Sequence, residues 1–358
     1  MTLARRALAC SLWLVACGGG PQTTTGDDTM GALERYEAER GVYSEFLAFD
    51  EVSAQLPAIA ELKLALALAI RPGDIGGSEL AALLRDARGR GVPVRAWLLL
   101  EDDDGYWPGA GNLEAFAAQV DAFWAWNEAE GLGVEWIVVD MEPPLEQSDA
   151  LAAALEGGSL LDVLPILMAN RDLAAHEEAR AAWVAAVEGW QARGIKVALV
   201  ALPYLLDDAA DGDDDLEDMF ESPVRGVPWD EAAFMVYQNL YSDPSGARLG
   251  AGLVRSYAET AVAQHGPRAA VALGIIGTVG KNTTSRGYEA PAQLAADLGA
   301  AAQAGVAMAH LFSLDGALAE GDGDPTLWLG QAPASDAIPV DDPKVVEARA
   351  LIAALDSL

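Results

Sequence analysis

The stretch Val134-Glu135-Trp136-Ile137-Val138-Val139-Asp140-Met141-Glu142 carries the most chemistry in this chain. It is an apolar run that ends in two acids one residue apart. Side chains alternate along a β-strand, so Asp140 and Glu142 fall on one side, roughly 6.5 Å apart along the backbone. Two carboxyls that close repel, and one of them then keeps its proton to a higher pH, which suits a general acid. Burial of such a pair is costly unless it is compensated, so stability alone is a poor reason to end an apolar strand this way. A helix cap or a solvated strand end is the plain alternative.

Similar residues recur where other apolar runs stop. Asp50 follows Phe46–Phe49, and Glu101-Asp102-Asp103-Asp104-Gly105-Tyr106-Trp107 follows Val94–Leu100. Tyr204 follows Lys196–Leu202, Gln238 lies in Phe234–Asn239, and Phe312 and Asp315 close Val306–Phe312. Aromatic faces stack on sugar rings, and acids handle protons and hydroxyls. Asp50, Glu101, Tyr106, Trp107, Tyr204, Gln238, Phe312 and Asp315 are therefore the candidate substrate-binding residues.

The elements that must position these groups alternate along the chain. Apolar runs at Phe46–Phe49, Leu62–Ile70, Val94–Leu100, Val134–Asp140, Lys196–Leu202, Phe234–Asn239, Val271–Gly277 and Val306–Phe312 predict strands. Helical patterns at Ser78–Arg88, Leu113–Glu128, Asp172–Arg193, Leu249–Gln264 and Pro291–Ala304 lie between them. Near-continuous apolar strands joined by helices imply a parallel sheet covered on both faces. Eight strands suggest an α/β fold of the (β/α)8, or TIM, barrel type, in which function sits at the C-terminal ends of the strands. An open doubly wound sheet is the other architecture this pattern allows, but no glycine-rich phosphate loop follows an early strand.

Composition narrows the function classes. The 358 residues carry 55 acids against 22 Lys and Arg, a formal net charge of −33, with no basic stripe for nucleic acid. Three histidines without ligand spacing give no zinc signature, and neither a metal nor a cofactor is expected. His176 and His265 fall on helical stretches and are expected at the surface, while His310 lies inside the last strand as a core residue. The run Asp207 to Asp218 is expected as a solvated loop; calcium is the alternative, although its spacing fits no EF-hand.

Three short motifs, in the order of one barrel, resemble glycoside hydrolase family 18, the chitinase-like barrels. That family ends its fourth strand in D-x-x-D-x-D-x-E, and Glu142 matches the proton-donating glutamate, with Asp140 two before it. Val138 and Glu135 stand where the family has its other two aspartates. Phe234-Met235-Val236-Tyr237-Gln238 is similar to the M-x-Y-[DQN] motif of strand 6. Ala309-His310-Leu311-Phe312-Ser313-Leu314-Asp315 is similar to the last strand, with Phe312 where a tryptophan forms the floor of the subsite. The third-strand S-x-G-G motif is absent. The resemblance implies that Glu142 protonates the leaving oxygen, that Asp140 holds the substrate acetamido group, and that Tyr237 supports it. A second resemblance, of Met141-Glu142-Pro143 to the N-E-P ending of retaining barrels, is weaker, because strand 7 supplies no second glutamate.

The N-terminus reads as an address. Arg5 and Arg6 precede a short apolar run, and Leu14-Val15-Ala16-Cys17 resembles the lipobox of bacterial lipoproteins. That resemblance implies cleavage after residue 16, acylation of Cys17 with fatty acids such as palmitate, and membrane attachment through the lipid alone. Residues 17–40 are then expected as a tether and 41–358 as one barrel domain. Taken together, the sequence predicts an envelope lipoprotein, at the outer membrane or cell surface, that hydrolyses N-acetylated glycans. The alternative is a carbohydrate-binding barrel without turnover.

Overall fold

The computed structural model describes residues 40–156, 163–238, 248–277 and 287–356. Eight parallel strands close into a barrel in chain order: β1 (Arg40–Ser44), β2 (Leu64–Ile70), β3 (Val94–Leu98), β4 (Trp136–Met141), β5 (Lys196–Ala201), β6 (Glu231–Met235), β7 (Ala269–Gly274) and β8 (Met308–Phe312). β1 pairs with both β2 and β8, so no sheet edge is left open. The fold is a single-domain (β/α)8 barrel. Cys17 and the rest of the expected leader and tether up to residue 39 lie outside the described residues, while Arg40, expected as the last tether residue, is the first of β1.

Strand β2 shows why the sequence folds this way. Its residues alternate Leu64, Leu66, Leu68 and Ile70 with Ala65, Ala67 and Ala69, and all are buried. A barrel strand needs bulk toward the surrounding helices and must leave lumen space for its neighbours. The alanines share register with Tyr43 on β1 and with Arg95 and Trp97 on β3. Small residues on β2, β5 and β7 thus face large ones on β1, β3 and β8, which fills the lumen at near-constant volume.

The crossover helices include α1 (Phe49–Glu61), α2 (Ser78–Arg90), α3 (Leu113–Glu130) and α4 (Leu145–Glu156). Further on come α5 (Leu164–Ala169), α6 (Leu173–Ala192), α7 (Leu205–Asp211), α8 (Asp215–Met219), α9 (Ala251–His265) and α10 (Pro291–Ala304). Gly91 and Gly305 end α2 and α10 in the left-handed region, at φ 73° and 82°, where a side chain would be strained. Among the described residues, no helix is long and apolar enough to cross a membrane.

Most strands match their sequence-based expectation to within two or three residues at an end, but two differ in a way that moves candidate residues. The first runs over Arg40–Ser44, whereas Phe46–Phe49 forms a loop and the start of α1. The sixth runs over Glu231–Met235, so Tyr237 and Gln238 follow it instead of lying within it. In both cases β-propensity in a short apolar run was outweighed by the register that barrel closure imposes.

Candidate active site

Register decides which side chains enter the lumen. Trp97 pairs with Val138, and Asp140, two residues on, pairs with Val200, so Asp140 faces inward at the top of β4. Asp140 is 3% exposed and Glu142 is 8% exposed. Burial first, then the nearby Glu142 and Glu45, pushes the Asp140 carboxyl well above the ordinary carboxylate range, with Trp97 acting in the opposite direction. Among the described residues, Asp140 Oδ1 has no hydrogen-bond partner. A buried acceptor left open at the functional end of a barrel is a ligand-facing arrangement.

An aromatic group lies beside this pair. Tyr43 and Trp97 meet edge-on at 5.2 Å, Phe312 lies 6.1 Å from Tyr43, and Tyr237 stacks on Phe312 at 5.6 Å. β7 ends in glycine for this reason: a Cβ at Gly274 would stand 3.2 Å from the Tyr237 ring and 2.9 Å from the Phe312 carbonyl. Tyr237 and Phe312 are therefore brought together with Asp140 through Trp97 and Tyr43.

Beneath them lies a buried polar group. Glu231 Oε1 accepts from Arg95 Nη1 at 2.6 Å and sits 2.7 Å from His310 Nε2. Burial alone would raise Glu231, but His310 and Arg95 bring it down to about 2. An ionised carboxylate only accepts, so His310 donates its Nε2–H. Burial lowers His310 itself, more than Glu231 raises it. His310 is thus the core residue its sequence position predicts.

Other candidates fall elsewhere. Asp50 is exposed in the first turn of α1, and its carboxylate accepts from the Glu51 N–H. It does not close strand 1, because that strand ends six residues earlier. Glu101 is exposed at the start of a short 3-10 turn. Tyr106 and Trp107 are 0% and 4% exposed and pack edge-on against each other at 5.0 Å, so neither offers an open stacking face. Tyr204 is likewise buried, with its ring stacked on Phe220. Gln238 turns outward and donates to Asp297 on α10 at 3.4 Å, instead of facing a ligand. Asp315 accepts from the backbone N–H groups of Glu45, Phe46 and Leu47 at 3.3, 2.7 and 3.2 Å. It fixes the loop after β1.

That loop holds the residue the sequence reading missed. Glu45 immediately follows β1, and the period of Gly41 and Tyr43 carries it toward the lumen mouth. Its Oε1 accepts from the Tyr106 hydroxyl at 2.6 Å, and Arg71 Nη2 donates to the same hydroxyl at 3.3 Å. The signal in the sequence was faint, because the strand before this acid, Arg40–Ser44, has only Val42 and Tyr43 as large apolar residues and the more apolar Phe46–Phe49 lies beside it.

The acidic run is not a solvated loop. Asp208 accepts from Leu216 and Glu217 N–H, and Glu217 accepts from Val224 and Arg225 N–H. Asp214 pairs with Arg180 and Arg225, and Asp215 pairs with Arg171. His176, expected at the surface, is 2% exposed and lies 3.7 Å from Glu217. His265 packs on Phe234 at 5.3 Å, and burial lowers it to about 4. Among the described residues, no three His, Cys, Asp or Glu side chains are placed to hold a metal ion.

No protein-family model matches the chain, and no curated protein does. Solved structures similar to it include the YdjI aldolase from Escherichia coli K12, at 12% identity and a TM-score of 0.38, covering 92% of each chain. A D-psicose 3-epimerase solved with D-fructose is 14% identical, with a TM-score of 0.41, covering 88% of this chain and 97% of that one. An O-GlcNAc hydrolase mutant from Thermobaculum terrenum is 10% identical, with a TM-score of 0.39, covering 90% of this chain and 63% of that one.

Proposed function

We propose that this chain is a glycoside hydrolase of the cell envelope that cleaves N-acetylated glycans. The observation that carries the reading is the pair of buried, electrostatically coupled acids Asp140 and Glu142 at the lumen end of β4. Two such acids share protons as a unit, so one proton is available to the pair at a pH where isolated carboxyls have lost theirs. Glu142 gives it to the leaving glycosidic oxygen. The substrate's acetamido oxygen attacks the anomeric carbon as that bond breaks, and Asp140 and Tyr237 hold the acetamido group. Water then opens the cyclic intermediate and returns a proton to Glu142. The stack of Tyr237 on Phe312 supplies an apolar face for a sugar ring.

The test uses wild type and Glu142→Gln with a fluorogenic N-acetylglucosamine oligomer. Removal of a general acid lowers kcat about 10²–10⁴-fold, while affinity for the oligomer, read by tryptophan fluorescence, stays within a few-fold. Absence of hydrolysis by wild type, with affinity intact, transfers the site to the binding reading. One observation favours that second reading: Val138, apolar and 1% exposed, occupies the inward position below Asp140.

We further propose that Cys17 carries the lipid that holds the protein to the envelope membrane. Cys17→Ala should move the full-length chain from the membrane fraction to the soluble one. Continued sedimentation with membranes would refute the anchor.

A further inference from the structure

The loop after β1 is built with unusual care for a connection of four residues. Asp315 takes up three consecutive backbone N–H groups there, those of Glu45, Phe46 and Leu47. A carboxylate that accepts several backbone bonds fixes a segment in one conformation. The side chain of Glu45 is fixed as well, by a fully buried tyrosine that reaches it from the loop after β3.

Tyr106 occupies φ 65°, in the left-handed region. An aromatic residue adopts that conformation at a cost, and such strain collects where surrounding structure needs a group in one place. Packing alone does not explain it, because Trp107 beside it fills space from an ordinary conformation. What the conformation delivers is the phenol, placed between Arg71 and the Glu45 carboxylate. Arg71 follows β2, Tyr106 follows β3 and Glu45 follows β1, so three successive βα-loops converge on one phenol, which links the guanidinium to the carboxylate.

Glu45 stands at the end of β1, three strands around the ring from β4. The alternation that places Tyr43 against Trp97, His310 and Phe312 in the lumen also directs Glu45 into the mouth, above that layer. Its charge acts on Asp140 in the same direction as that of Glu142. Where the fourth strand has Val138 and no further acid, the loop after β1 supplies one from three strands away.

We propose that Glu45 is the third functional carboxylate of this site, a positioning residue that Tyr106 and Arg71 fix in place and that keeps the shared proton on the Asp140–Glu142 pair. The charged and titratable groups around it include Asp140 on β4 and Glu142 just beyond it, Tyr43 on β1, Arg71 beyond β2, Tyr106 beyond β3 and Asp315 beyond β8. Glu231, Arg95 and His310 lie a layer below. The assignment of a catalytic proton to this pair rests on the proposed hydrolase activity, but the electrostatic role of Glu45 does not require turnover.

The experiment follows the Asp140 carboxyl carbon by NMR in the full-length, ¹³C-labelled chain, with the resonance assigned by its loss in Asp140→Asn. Glu45→Gln should lower the Asp140 midpoint by at least one pH unit, a tenfold loss of proton affinity. Tyr106→Phe, which keeps the ring and removes the fixing hydroxyl, should move it the same way by less. An unmoved midpoint in Glu45→Gln, with the fold retained by near-ultraviolet circular dichroism, overturns the proposal. If Glu45→Gln fails to fold, an unmoved midpoint in Tyr106→Phe overturns it instead. Where wild type hydrolyses the fluorogenic oligomer, the alkaline limb of its kcat profile should shift to lower pH in Glu45→Gln. Should wild type hydrolyse nothing, the hydrolase reading fails on its own, and the Asp140 titration still decides the role of Glu45.

Discussion

Gly41 lies so close to His310 that a Cβ on it would stand 2.5 Å from the His310 Nδ1. The two residues are register partners on β1 and β8, and the imidazole occupies the lumen volume that a side chain at 41 would take. Gly41→Ala should therefore overpack the core and destabilise the fold by about 1–3 kcal/mol. Urea unfolding should show a lower midpoint with an unchanged slope. The double variant Gly41→Ala/His310→Ala should be less unstable than the sum of its parts, because contacting residues are not additive. Additive effects would mean that the two do not compete for space.

The Arg95–Glu231 pair, both partners nearly buried at 2.6 Å, has an asymmetric energetics. Removal of one partner leaves the other charge buried and unpaired, so Glu231→Ala should cost about 3–5 kcal/mol. Replacement of both, as in Arg95→Met/Glu231→Leu, should recover most of that. The sign with pH is fixed by the direction of the shift. Glu231 is held at about 2 in the folded state against an ordinary 4.5, so its contribution is present above 4.5 and is lost as pH falls from there toward 2. Acid unfolding of wild type should steepen in that window, and the double variant should not share the extra slope.

Asp297 behaves in the opposite sense. Burial raises it to about 7, while Tyr288 at 2.6 Å and Gln238 pull it down. Its stabilising contribution is complete below the ordinary value of 3.8 and fades as pH rises toward 7. The difference in melting temperature between wild type and Asp297→Asn should thus change across pH 4 to 7, with wild type losing ground as pH rises. A constant difference would show that Asp297 does not titrate in that range.

Phe312 joins the stacking face to the rest of the lumen, through Tyr237 on one side and Tyr43 and Trp97 on the other. Phe312→Ala should weaken binding of an N-acetylglucosamine oligomer about tenfold, equivalent to ~1.4 kcal/mol. Phe312→Trp, a larger aromatic of the same kind, should retain binding. Equal loss in both variants would mean that shape at this position matters more than an aromatic face.

The C-terminal helix α11 (Pro343–Asp356) buries Val345 in the core and is tied to the barrel through Arg349. Arg349 pairs with Asp207, donates to the Ser256 and Thr260 hydroxyls at 2.8 and 3.0 Å, and lies 4.3 Å over the Tyr257 ring. Lysine carries the charge without the fork that serves these partners together. Arg349→Lys should therefore lower the urea midpoint, and Arg349→Ala should lower it further. Equal midpoints in all three proteins would show that the helix is held by its apolar contacts.

The amino-acid sequence by itself determined the barrel and the acid pair. Leu and Ala alternate on β2 with the period of a strand, whatever the neighbours, and helix stops such as Gly91 and Gly305 are local backbone requirements. Asp140 and Glu142 were legible for the same reason, since they lie where an apolar strand ends, at its C-terminal end. Tertiary structure decided what depends on partners far away in the chain. Register around the closed ring set β1 at Arg40–Ser44, which removed Asp50 from the strand end and put Glu45 there. It also set β6 so that Tyr237 turns to Phe312 while Gln238 turns away to Asp297. The acids of Asp207–Asp218 read as a solvated run because charge is a local property. They are instead taken up by Arg171, Arg180, Arg225 and nearby backbone N–H groups, since two of those arginines lie on or beside α6 and only folding brings them there.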